Sequence, residues 1–351
     1  MIKSSFGLLL AAIITTGITI GITTGAAQTE QRPAVKSQEN SPTIEQAETL
    51  LSAGKPDRAI EILSVIPKTK SNEARTNYLL GQAHYQKSDY VRAVEYLAIS
   101  IKQAQQGSSQ YQQVAQMLGM SHYFLSHIKE AIPYLEDAAR FVPGNLELAY
   151  ILGVSYIRTQ NPDKSRGAFA RMFSVPPDSA SAYLINAQML IRQQVEILAE
   201  KELQKALEID PKLPQANFLL GEMAIYRAEV ALGIELLRKE IALNPAFAMA
   251  YYRLGEAYTR QLKWDEAIAP LQKSIWLNPF FSGPYIVLGK TYLKKGELLN
   301  AEGMIRRALN MDPNNYSGHN LLAQLLQQSN RRQEAREEFE LAERLRTKSD
   351  Q

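Results

Sequence analysis

Leu288-Gly289-Lys290-Thr291 is the stretch whose residue types come nearest to handling a phosphate. A phosphate loop cradles its ligand with backbone N–H groups from a glycine-rich turn, backed by a lysine and a hydroxyl. It needs another glycine five residues before Gly289. That residue is Pro284, and the segment reads as the inside of a helix rather than a turn after a strand. Nucleotide binding is not expected. The four histidines are His84, His122, His127 and His319. His122 and His127 are five apart, which does not place them on one helical face, and no carboxylate completes a zinc pair of the HExxH kind. His84 and His122 instead fall at packing positions. Gly153-Val154-Ser155 begins like a nucleophile elbow but continues Tyr156-Ile157, without the closing glycine. Carboxylate pairs such as Glu337-Glu338 belong to a solvated helix face. The sequence therefore predicts no catalytic residue, no metal site and no cofactor, and the chain is not expected to be an enzyme.

Composition narrows the classes further. Of 351 residues, 45% are hydrophobic and 21% charged, as in a soluble globular chain. The net charge of +3 comes without a Lys/Arg block, so nucleic acid is not an expected partner. The absence of cysteine excludes a disulfide framework and a thiolate metal site.

The N-terminus has the three-part pattern of an export signal. Lys3 precedes a charge-free run from Phe6 to Ile22, and small residues follow at Thr24-Gly25-Ala26-Ala27. Residues 1–27 are expected to be a signal peptide, or an uncleaved anchor, placing the rest outside the cytoplasm in a periplasmic, secreted or membrane-anchored form. Residues 28–39 are polar, lack apolar periodicity and are expected to be a disordered linker.

What could position a binding surface is an internal repeat. Prolines recur every 34 residues at Pro143, Pro177, Pro211, Pro245, Pro279 and Pro313. The same step carries Gly119, Gly153, Ala187, Gly221, Gly255, Gly289 and Ala323, each preceded by leucine except at Asn186. A third series is Ala131, Ser165, Ala199, Gly233, Ala267, Ala301 and Ala335. Gly81 to Gly119 is longer, with the extra residues near Gln105–Ser109. Each unit reads as two helices. Tyr251, Leu254, Gly255 and Tyr258 lie on one helical face, a short polar break follows, and a second helix stops at Asn278-Pro279. About nine units are expected over residues 40–351, starting near 40, 74, 112, 146, 180, 214, 248, 282 and 316. The small residues mark close helix crossings. In the last helix Ala335, Phe339 and Ala342 are expected to face inward beneath a charged outer face.

Leu-Gly-x-x-Tyr at Leu152–Tyr156, Leu254–Tyr258 and Leu288–Tyr292, with the following alanine and closing proline, resembles the tetratricopeptide repeat. That resemblance covers most of the chain. It implies an all-α fold of tandem helix-turn-helix units stacked into a right-handed α-solenoid, with the first helix of each pair lining an inner groove. The unit from Ala180 to Leu213 departs from the pattern, with Asn186-Ala187 for Leu-Gly and Leu190 for tyrosine. Together with the Gln105–Ser109 insertion, it is expected to open before the regular units, because a stacked array sums unit and neighbour energies.

Residues three before the small residue and one, four and five after it fall on the groove side, and the sets three before and five after supply the candidates. The first set is Tyr78, Gln116, Tyr150, Leu184, Phe218, Tyr252 and Ile286. The second is Gln86, Phe124, Arg158, Arg192, Tyr226, Arg260 and Lys294. Tyr78, Tyr150, Phe218, Tyr226 and Tyr252 are expected as aromatic shelves, and Arg158, Arg192, Arg260 and Lys294 as a basic stripe suited to an acidic protein segment. Family members that capture C-terminal carboxylates use a lysine where Tyr78, Tyr150 and Tyr252 stand here, so that mode is not expected. Two functions fit these features. One is a protein-interaction scaffold or adaptor in a cell-envelope complex. The other is a regulatory or targeting subunit of an exported enzyme or polysaccharide-export complex.

Overall fold

The structure, a computed structural model, describes residues 42–349. The expected export signal at 1–27 and linker at 28–39 lie outside the described residues. Among the described residues there are eighteen helices and no strand. They form nine pairs: α1 (Ile44–Ser52) with α2 (Pro56–Val65), α3 (Glu73–Gln86) with α4 (Tyr90–Gln103), and α5 (Ser109–Phe124) with α6 (Ile128–Phe141). Next come α7 (Leu146–Arg158) with α8 (Pro162–Met172), α9 (Ala180–Arg192) with α10 (Glu196–Ile209), and α11 (Ala216–Tyr226) with α12 (Val230–Leu243). The last three are α13 (Ala248–Arg260) with α14 (Trp264–Leu277), α15 (Ser282–Lys295) with α16 (Leu298–Met311), and α17 (Tyr316–Gln328) with α18 (Arg332–Ser349). Each helix packs on its partner and on the neighbouring pair, which makes the array an α-solenoid. Successive first helices also approach one another at the two ends of the array, from α1 through α3 to α5 and from α11 through α13 and α15 to α17. None of the described helices is long and apolar enough to cross a membrane.

The small-residue series has a steric cause. A Cβ added at Gly153 would lie 2.4 Å from Cζ of Phe169, and one at Gly255 would lie 2.5 Å from Cγ of Leu271. In both cases the blocking side chain stands 16 residues later, on the second helix of the same pair. The two helices cross where only hydrogen fits, and filling such a site costs roughly 1–3 kcal/mol. This disposes of the phosphate-loop likeness: Gly289 is pressed against Ile305, and the Thr291 hydroxyl donates to the Val287 carbonyl at 2.8 Å inside α15.

The turn within each pair is also repeated. Its middle residue is left-handed in every unit: Gly54, Ser88, Ser126, Gln160, Gln194, Ala228, Leu262, Gly296 and Asn330. The N–H of the following residue then reaches back to the carbonyl five positions before it, as from Lys263 to Tyr258 at 3.0 Å and from Asn161 to Tyr156 at 2.8 Å. This satisfies orphan carbonyls of the first helix and reverses the chain. Only two of the nine are glycine, so the packing on either side imposes a conformation that most of these residues do not favour.

Several helix starts use side-chain caps: Thr43, Asp89, Ser108, Asn145, Asn161, Ser179 and Asn315 each accept an N–H from their own first turn. Helix α11 has no such cap. There the buried Glu240 of α12 takes the N–H of Gln215 at 2.9 Å and of Phe218 at 3.4 Å. The insertion before Gly119 is absorbed mainly as helix, since α5 runs for 16 residues where α13 runs for 13. In α18, Ala335 and Ala342 are buried as expected, but Phe339 is exposed, because no helix packs over that side of α18 among the described residues.

The unit that lacks Leu-Gly holds a polar core instead. Asn186 is fully buried and donates to Glu202 at 2.7 Å and to the Pro162 carbonyl at 3.1 Å, while it accepts from Ser165 at 2.7 Å. Arg166 pairs with Glu202 at 3.2 Å, donates to the Pro177 carbonyl, and lies 4.0 Å over the Tyr183 ring. Burial pushes the Glu202 carboxyl up, against the pull of Asn186 and Arg166.

Candidate partner-binding groove

The first helices present three stretches of different chemistry on their shared face. The N-terminal stretch is aromatic. Tyr85 meets Tyr90 edge-on at 6.0 Å, Tyr90 stacks on Phe124 at 4.6 Å, and Tyr123 meets Phe124 edge-on at 5.8 Å. Burial pushes the Tyr123 phenol up, with Tyr150 and Arg158 close enough to act on it as well. Tyr78 is half-buried and donates to Gln113 at 2.5 Å. The middle stretch carries Arg158 and Arg192. Both are exposed, and among the described residues no carboxylate lies within ion-pair distance of either.

The C-terminal stretch is a ladder of alternating charge. Arg253 bonds Glu222 at 2.7 Å and Glu256 at 2.9 Å, and Glu256 in turn faces Arg260 at 3.7 Å. Burial pushes Glu222 up, against Arg253. Arg260 also reaches the Ile225 carbonyl at 3.5 Å. Lys294, one pair further on, is exposed and has no carboxylate partner among the described residues.

The structure thus sorts the nine expected groove residues. Tyr226 is 69% exposed, and Arg158, Arg192 and Lys294 are exposed and unpaired. Arg260 is exposed but engaged by Glu256. Phe218 is 7% exposed and closed off edge-on by Phe247 at 4.9 Å, so it serves the core and not the groove. Tyr150 and Tyr252 are half-buried, the first against Phe169 and the second edge-on to Phe281 at 5.1 Å. Their spacing placed them on the groove side, yet each ring also seals the joint to a neighbouring helix. Spacing alone missed Tyr90, which stands outside the first-helix series, at the start of α4. The acids Glu222 and Glu256 fall within the groove registers but were not among the nine residues. The register one residue after the small residue holds both and was the signal available for them.

The consensus tyrosine has a repeated partner on the second helix of the preceding pair. Tyr156 bonds Glu136 at 2.5 Å, Tyr258 bonds Arg238 at 2.5 Å, and Tyr292 bonds Gln272 at 3.2 Å, always 20 residues back. The histidines that replace tyrosine do different work. His84 stacks on Tyr96 and bonds Asp89 at 3.0 Å. His122 stacks on Tyr134, and burial depresses its imidazole. Among the described residues no group of three His, Asp or Glu side chains could hold a metal ion.

Comparison with known proteins agrees with this architecture. The family model described as tetratricopeptide repeat matches residues 44–108, 117–179, 218–279 and 286–350. No curated protein matches the chain. Among solved structures, MamA from Desulfovibrio magneticus RS-1 is 20% identical, with a TM-score of 0.46, over 50% of this chain and 98% of its own. PilF of Pseudomonas aeruginosa is 18% identical, with a TM-score of 0.46, over 55% and 88%. The Cut9 and Hcn1 hetero-tetramer of APC/C matches at 18% identity and a TM-score of 0.43, over 80% and 54%.

Proposed function

Because this chain belongs to the tetratricopeptide repeat family, whose members bind other proteins, we propose that it is an interaction scaffold holding a partner segment along its first-helix groove. The observation that carries this reading is the run of exposed, unpaired cations Arg158, Arg192 and Lys294 beside the exposed rings of Phe124 and Tyr226. Such cations are hydrated and uncommitted, so an acidic segment gains attraction without first breaking an internal ion pair. The aromatic stretch supplies apolar area for the same segment. The partner is acidic and extended or helical, and it enters across the α7 and α9 surfaces.

Lys3, the apolar run from Phe6 to Ile22 and Ala26-Ala27 support the further reading that the scaffold works outside the cytoplasm, in an envelope complex. Affinity capture from envelope extracts tests both parts. A partner held by the wild-type chain, lost with Arg158→Glu/Arg192→Glu and kept with Glu337→Lys/Glu340→Lys is the expected result. A partner lost equally with both charge sets would place binding elsewhere.

A further inference from the structure

The second helices carry their own cationic row, and one member of it opens on a cavity. Arg171, Lys205, Lys239, Lys273 and Arg307 stand 34 residues apart. Four are engaged: Lys205 by Glu208 at 2.8 Å, Lys239 by Glu235 at 2.7 Å, Lys273 over the Trp276 ring at 3.8 Å, and Arg307 over the Tyr285 ring at 5.3 Å. Arg171 alone of the five has no such partner among the described residues. It lines a half-open cavity of about 520 Å³ between α6 and α8, together with Arg140, Lys164, Tyr156, Glu136 and Gly167.

Three cations and one carboxylate line this space. The carboxylate is already engaged at one oxygen, since Oε1 of Glu136 accepts from both Lys164 at 2.8 Å and Tyr156 at 2.5 Å. Although burial works against it, those two bonds hold Glu136 below the usual carboxylate range. Arg140 leans on Asp137 at 2.8 Å, which leaves its remaining N–H groups unassigned. Gly167 forms part of the floor, and a Cβ there would meet nothing within 4 Å. The combination is not a general property of the repeat. One unit later, Glu136, Arg140 and Lys164 become Ala170, Ser174 and Leu198.

We propose that this cavity is a second binding site, on the second-helix side of the array, for the carboxylate side chains of an acidic peptide segment. Guanidinium groups match carboxylates as paired donors. Ala139, Pro143 and Leu152 in the wall suit the methylene stems that carry such carboxylates. The fixed Glu136 disfavours a multiply charged phosphate in the same space. The site shares no residue with the groove, so the two readings stand or fall separately.

The test is a titration of the full chain with a fluorescein-labelled hexaglutamate peptide, followed by anisotropy. It is run in an Arg158→Gln/Arg192→Gln/Lys294→Gln background, which silences the groove. Saturable binding is expected, weakened at least tenfold by Arg171→Glu and by Gly167→Leu. The leucine fills the cavity from a position where its stem meets no neighbour, and unchanged thermal melting verifies that the variant is folded. Arg336→Glu, an equal charge change on the exposed face of α18, is expected to leave affinity unchanged. Absence of binding overturns the proposal. So does equal weakening by Arg336→Glu, or tighter binding of inorganic pyrophosphate than of hexaglutamate.

Discussion

Asn186 donates to the buried carboxylate of Glu202 at 2.7 Å, and this bond stands where the units from Leu80 to Leu322 otherwise place leucine. Restoring the family pattern with Asn186→Leu removes one partner from Glu202 and another from Ser165 while both remain buried. An unmade buried hydrogen bond costs roughly 1–3 kcal/mol. Asn186→Leu is therefore expected to lower stability by about that amount in denaturant melts, although it brings the sequence closer to the repeat. A neutral or stabilising result would show that the polar core adds nothing.

Two carboxylates are expected to give pH dependences of opposite sign. Burial pushes Glu202 up, so its contribution is greatest below the unfolded value of about 4.3 and declines as pH rises through the folded value. Burial also opposes ionisation of Glu302, but bonds from Arg331 and Arg306 hold it below the usual range. Its contribution is present above about pH 4.3 and disappears as pH falls through the folded value. Denaturant midpoints should show the advantage of wild type over Glu302→Gln shrinking in acid. The advantage over Glu202→Gln should shrink toward neutral pH. Parallel pH profiles for the two variants would contradict this assignment.

The left-handed turn position offers a stabilising substitution. Leu262 holds φ at 59° and is 69% exposed, so it pays a backbone penalty with little burial in return. Leu262→Gly is expected to raise stability by roughly 0.5–1 kcal/mol. Gly296→Leu, at the equivalent turn with φ at 79°, should lower it by a similar amount. Thermal melts of the two variants should move in opposite directions.

Groove charges and groove rings are expected to act on different rate constants once a partner is in hand. Arg158→Glu/Arg192→Glu should slow association and flatten its salt dependence, because exposed charges steer encounter. Phe124→Ala or Tyr226→Ala should speed dissociation, by about 1–3 kcal/mol if the ring anchors the partner. Tyr150→Ala and Tyr252→Ala should lower stability as well, since both rings are packed at helix joints. Surface plasmon resonance with parallel melts separates these effects. A slower on-rate for the ring variants alone would reverse the assignment.

Export makes a simple expectation. N-terminal sequencing of the protein recovered from outside the cytoplasm should begin near Ala27 or Gln28. A cytoplasmic protein retaining Met1 would contradict it.

The 34-residue step in the sequence determined the paired helices, the number of units and the close crossings at Gly153 and Gly255. These follow from local helix periodicity and from packing between the two helices of one pair, so they are written within a single repeat. Tertiary structure decided which groove residues are available. Arg260 and Arg158 occupy the same repeat position, yet only Arg260 has a glutamate one turn before it, a pairing already written in the sequence. Stacking adds Glu222 of α11 to Arg253 and makes that pairing part of a ladder. Phe218 and Tyr226 lie on one helix, but Phe247 from the next pair covers the first and leaves the second in solvent. The sequence also showed Asn186 as a departure, and only stacking brought Ser165 and Glu202 to it and turned the departure into a satisfied core. For Phe218 and Asn186 the deciding partner lies on another helix, and its distance depends on how the helices pack. A periodicity read along the chain does not contain that distance.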